Sequence, residues 1–244
     1  MHRSRSLTSG VERQLISCLV VQQSIFRYEP KMQNYLDDIY TEPHPVDVRT
    51  LLNLGPLGPM AGIWQGIRGL DVKPKPEGPK QQEFIERIEL QPIDPSTNGP
   101  QLFYGLRYHT HITKPDQVKT YHDQVGYWLW EPATETVIHT LTIPRGLVAM
   151  AAGQAAADAT KFELIATQGL DTWGICSAPF LDRAFKTTEF KITVTINPDG
   201  TWGYDEDSVL QIHGQSEPFH HTDHNLLTRI GDPTPNPLAR NSST

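Results

Sequence analysis

Ten histidines are spread along this 244-residue chain, and three of them fall within five residues in the stretch FHHTDHNLL (219–227). His220, His221 and His224 stand there among Thr222, Asp223 and Asn225. A neutral imidazole is both a metal ligand and a proton carrier near neutral pH. The cluster therefore has four readings: a metal site, a ligand to haem iron, a proton relay, or a polar strand end that binds nothing. Upstream, His109 and His111 are two apart, so on a strand they share a face. His122 precedes the aromatic run GYWLW, where Trp128 and Trp130 take one face and Tyr127 and Leu129 the other. Two indoles beside a histidine suit the wall of a pocket for a flat ligand, and they suit plain core equally well.

Alternation sorts the terminal cluster. If residues 219–227 are extended, His221, Asp223 and Asn225 share one face, and His220, Thr222 and His224 share the other. Only one set can enter an enclosed interior, and a single bulge would exchange them. An acceptor such as Asp223 could orient a ligating imidazole by taking its ring N–H. A non-haem site for zinc or iron could use His109, His111 and His122. The carboxylate such a site wants shortly downstream is represented only by Asp116, beyond a turn. Nucleophile and nucleotide chemistry find little support. There is no Gly-x-Ser-x-Gly elbow, Cys176 has no neighbouring base, and GIRG is not followed by a helix.

The elements that must position these side chains are strands. DVRTLLN (47–53) reads as a short helix, stopped by the glycines and prolines of GPLGPM. Beyond it, period-two runs occupy 62–70, 83–90, 101–112, 118–131, 136–143, 146–152, 161–167, 172–177, 188–196, 201–214 and 224–230. Glu131-Pro132-Ala133-Thr134 and Asn197-Pro198-Asp199-Gly200 read as hairpin turns, and Thr97-Asn98-Gly99-Pro100 as a loop. About ten strands with short connections predict an all-β, up-and-down antiparallel barrel of the lipocalin or fatty-acid-binding kind. Such a barrel has no free edges and has room for one ligand.

Composition narrows the partners. The net charge of −7 lacks the basic footprint of a nucleic-acid binder. No apolar run reaches the ~18 residues that span a bilayer, and mean hydropathy is −0.44. Two cysteines, Cys18 and Cys176, make no disulfide framework and suit a reducing, cytoplasmic compartment. Residues 1–31 hold five of the 21 basic residues and two of the 28 acidic ones, so they differ in kind from the rest. LISCLVV (15–21) behind three arginines imitates a secretory or lipoprotein leader, but its apolar stretch is minimal. The expected organisation is a disordered extension over 1–31 and a linker over 32–46. The barrel follows over 47–230, with a flexible tail over 231–244.

Four motifs in order carry a family resemblance: GIWQGIRG (62–69), HDQVGYW (122–128), IPRGLVAM (143–150) and FHHTDHNLLTRI (219–230). Together they resemble the nitrobindin-like, or THAP4-type, haem-binding β-barrels over roughly residues 47–230. The resemblance implies a ten-stranded barrel that holds b-type haem by a histidine near the last strand. It also implies an iron position open to nitric oxide and, in ferric members, isomerisation of peroxynitrite to nitrate. The iron ligand maps onto His221, with His224 as rival, and the distal histidine onto His122. Trp64, Gly66, Trp128 and Trp130 complete the implied haem surroundings. The sequence departs from the nitrobindin pattern in offering three late histidines, and in an insert, DVKPKPEGPK (71–80), after the first strand. Two other readings stand beside this one. A carrier of a fatty acid or other apolar molecule would anchor a carboxylate on Arg107, Arg145 or Arg229. The non-haem metal site is the other. The implied partner is thus a small apolar or diatomic ligand, with no nucleic acid and no membrane, and self-association is left open.

Overall fold

A computed structural model describes residues 38–236. The leader-like segment, Cys18 and most of the tail lie outside the described residues.

The chain enters through a short helix, α1 (Thr50–Asn53), and a 3-10 turn (Gly55–Met60). Twelve strands follow. These are β1 (Gly62–Lys73), β2 (Lys80–Pro92), β3 (Ser96–Asn98), β4 (Gln101–Thr113), β5 (Thr120–Glu131), β6 (Thr136–Ile143), β7 (Leu147–Gln154), β8 (Lys161–Thr167), β9 (Ile175–Ser177), β10 (Phe185–Ile196), β11 (Trp202–Ile212) and β12 (Phe219–Gly231). A second helix, α2 (Pro179–Ala184), precedes β10. All pairings are antiparallel, and contacts of β2 with β4 and of β1 with β12 close the sheet. Ten strands make the wall. The short β3 forms a hairpin with β4, and the short β9 pairs with β7.

The expected barrel is therefore present, with local adjustments, one being that the short β3 takes Thr97 and Asn98 of the expected loop. β12 begins at Phe219, five residues earlier than the apolar run, because His220 to His224 pair fully with β11. The run at 172–177 contributes only Ile175–Ser177, and Trp173 sits at φ +56 in the loop before it. The helix keeps only its second half, Thr50–Asn53. No helix among the described residues is long and apolar enough to cross a membrane.

One end of the barrel is sealed. Leu54, Leu57 and Met60 pack beneath it with Trp64, Trp130 and Trp202, all almost wholly buried. The Trp64 indole N–H donates to the Met60 carbonyl at 2.7 Å, its ring meets Trp202 edge-on at 6.0 Å, and the Arg229 guanidinium lies over it at 4.4 Å. Arg229 in turn donates to the carbonyls of Ala61 and Pro59.

The glycines of GIWQGIRG have steric roles. β1 shifts register against β2 between Gly66 and Gly69. A Cβ on Gly66 would lie 2.3 Å from Asn225 Nδ2, the atom that donates to Glu86. Gly66→Ala must therefore push Asn225 away and leave a buried carboxyl short of a partner. We expect a loss of about 1–3 kcal/mol in urea denaturation. An unchanged midpoint would show that the amide has room to move.

Candidate functional site

A cavity of about 550 Å³ occupies the unsealed half of the barrel. That lies within the range of roughly 300–1,000 Å³ usual for small-molecule and cofactor sites. Its wall has two characters. Phe84, Ile88, Trp128, Leu141, Phe190 and Ile192 are among the side chains giving one part an apolar face. The rest is polar, and strand register explains why. Asp71 of β1 stands opposite Asp223 of β12, and Asp223 opposite Glu206 of β11, so three carboxyls form one row across adjacent strands. In β12, His221 stands opposite Ser208 and Asn225 opposite Tyr204. Lys73, Lys75, Lys114 and Arg145 also line the cavity.

His221, Asp223 and Asn225 face inward. His220 and His224 face outward, His220 bonded to Asp207 at 2.7 Å and His224 exposed in a shallow outer groove beside Arg68 and Asp205. His224 cannot present its ring to the interior in this register.

His221 donates its Nε2–H to Asp71 Oδ1 at 2.7 Å. Asp71 also accepts from the Tyr121 hydroxyl, which accepts from the Lys73 ammonium. Burial alone would raise the Asp71 carboxyl. The bonds from His221 and Tyr121 and the nearby cationic charge outweigh it and hold the group below its ordinary value. Burial raises Tyr121, and Asp71 adds to the rise. Burial raises Glu206 and Asp223 as well, and repulsion among Glu206, Asp223, Glu86 and Asp71 reinforces it, as like charges placed opposite one another require.

Glu86 is buried and accepts from Tyr204 at 2.9 Å and from Asn225 at 3.0 Å. Burial nonetheless pushes its pKa from 4.5 up to about 7. The folded state thus holds this proton to higher pH than the unfolded chain does. The stabilisation is complete below about pH 4.5 and is lost as pH rises through 7. Glu86→Gln should flatten the fall in stability between pH 5 and 8, where the shift corresponds to about 3 kcal/mol. Urea midpoints taken across that range test this. Parallel curves for the two proteins would assign the slope to other groups.

His122 lines the same cavity, and its pKa is lowered first by burial and further by Arg145 and His221, against the pull of Gln124. Trp128 is on the wall, stacked on His139 with ring centroids 4.0 Å apart. Trp64, Gly66 and Trp130 do not line the cavity. They belong to the sealed end and to the β1 bulge, so their part is structural. His109 and His111 project outside, bonded to Asp123 and Thr120 at 3.0 Å each. They cannot converge with His122, which rules out the three-histidine non-haem site in this register. Among the described residues no cluster of three histidines, cysteines or carboxylates is placed to hold a metal ion. Of the three arginines, Arg107 is exposed and Arg229 is engaged at the sealed end, while Arg145 faces the cavity. Sequence reading missed Asp71, Glu86, Tyr108, Tyr121, His139 and Glu206. A polar residue at an inward position of an otherwise apolar alternation was the available signal for Glu86, Tyr108 and His139.

Fold and site define a closed β-barrel with a cavity of small-molecule size, into which the last strand turns an imidazole. The chain belongs to the THAP4-like, heme-binding beta-barrel domain family, whose profile matches residues 53–229. The crystal structure of Rv2717c from M. tuberculosis is similar, with a TM-score of 0.51 and 22% identity over 74% of this chain and 97% of that one. At that identity the likeness supports the fold alone. No curated protein matches the chain.

Proposed function

We propose that the barrel binds haem b, with His221 as the iron ligand and the His122 side of the cavity receiving a small ligand. The observation that carries this is the inward His221 ring, whose Nε2–H is held by Asp71. A carboxylate on one ring nitrogen fixes the tautomer and raises the basicity of the other, which is the usual support of a metal-bound histidine. Nδ1 is then the donor left for iron. The residues present suit the group in two further ways. The apolar wall around Phe84, Trp128 and Phe190 suits a porphyrin face, and Lys73, Lys75, Lys114 and Arg145 suit its carboxylates. Bound haem would supply an iron atom able to take nitric oxide or peroxynitrite, the chemistry associated with the nitrobindin-like barrels. The cytoplasm is the compartment we assign.

A hemin titration of the purified chain tests this. The expected result is a Soret band that saturates at one hemin per chain. A titration with no band beyond that of free hemin would overturn it.

Arg145 supports a second reading, a carrier of an apolar carboxylate, since it lines the cavity with the lysines. A colourless protein that binds a fluorescent fatty acid, and loses it on Arg145→Ala, would favour that reading.

A further inference from the structure

Four cavity-side residues form one hydrogen-bonded chain, of which the haem reading uses only His122. His122 Nε2 lies 3.2 Å from Gln124 Oε1, Gln124 Nε2 lies 2.8 Å from the Tyr108 hydroxyl, and that hydroxyl lies 2.8 Å from His139 Nε2. Three strands supply the members: β4 gives Tyr108, β5 gives His122 and Gln124, and β6 gives His139. All four also line the cavity.

The Gln124 amide sets the direction of the chain. His139, at the deep end, is wholly enclosed, lies against Trp128, and is kept neutral by burial, which drives its pKa down to about 3. The Gln124 amide turns its NH₂ to the Tyr108 hydroxyl and its carbonyl to His122. A carbonyl accepts and never donates, so His122 must carry its proton on Nε2. Its Nδ1 is left as a lone pair, and no hydrogen bond to that nitrogen is made within the described residues.

We propose that Gln124 and Tyr108 are positioning residues that hold His122 as its Nε2–H tautomer, so that it meets a cavity ligand as a hydrogen-bond acceptor and selects ligands carrying an O–H or N–H. Such a site favours a protic ligand over an isostere lacking that hydrogen, because only the former satisfies the lone pair. Burial of His122 acts in the same sense by keeping the ring neutral.

The proposal does not rest on haem, and its test uses the haem-free chain. Histidine ¹⁵N spectra should show His122 with the proton on Nε2. Gln124→Glu keeps an acceptor beside His122 and should preserve that tautomer. Gln124→Leu and Tyr108→Phe should shift His122 toward Nδ1–H, the second by freeing the amide to turn. Phenol and its methyl ether anisole then probe selection. Phenol should bind about tenfold tighter, a difference of about 1.4 kcal/mol, and Gln124→Leu should bring the ratio close to one. A His122 ring protonated on Nδ1 in the unsubstituted chain overturns the tautomer assignment. Equal affinities, or no measurable phenol binding, overturn the selection. Hemin uptake is scored separately, so either result can fail without the other.

Discussion

His221→Ala should abolish the hemin spectrum, while His220→Ala and His224→Ala should leave it unchanged: this is the outcome expected if haem is held from the inner face of β12. His221 is opposite Ser208 on the inner face, whereas His220 and His224 look outward. Removing Asp71, the acceptor behind the imidazole, should weaken hemin binding by the roughly 10–100-fold typical of such partners. Asp71→Asn therefore gives the intermediate case, and losing the ligand itself should cost more than that. Titration by absorbance of the four variants checks the order. A spectrum retained by His221→Ala and lost in His224→Ala would mean that β12 is slipped by one residue.

Trp64→Ala should be the most damaging single change to stability. The side chain is fully buried, meets Trp202 edge-on, lies under Arg229 and donates to the Met60 carbonyl. Truncating such an indole typically costs about 3–5 kcal/mol, from lost burial and from the cavity left behind. The Met60 carbonyl loses its partner as well. Trp64→Phe keeps much of the volume but not the N–H, so it should cost less. Urea denaturation followed by circular dichroism measures both. A loss below about 1 kcal/mol for Trp64→Ala would show that the 3-10 turn collapses into the space, as a forgiving site can.

The first motif has a different part in the fold from its sequence reading. GIWQGIRG suggested part of a haem surround. In the fold, Trp64 plugs the sealed end and Gly66 clears room for Asn225 against Glu86. The strand that carries HDQVGYW, β5, divides between two jobs. His122, Gln124 and Trp128 face the cavity, while Trp130 belongs to the sealed end beneath it.

What the sequence determined by itself was the barrel and its alternation. Strand breaks and period-two patterning are local properties, written in consecutive residues, so ten long strands and the division of 220–225 into two faces could be read directly. Which face turned inward could not, because it depends on the pairing of β12 with β1 and β11, more than a hundred residues away in the first case. The same holds for the inner polar row. Asp71 and Glu206 carry no signal in their own segments and join Asp223 only when barrel closure lines them up, and it is Asp71, not the expected Asp223, that takes the His221 ring N–H. Tyr108, Gln124 and His139 likewise gain a direction only by meeting across strands. Hydrogen-bond partnership is a contact between distant parts of the chain, and only the closed sheet brings these groups within reach.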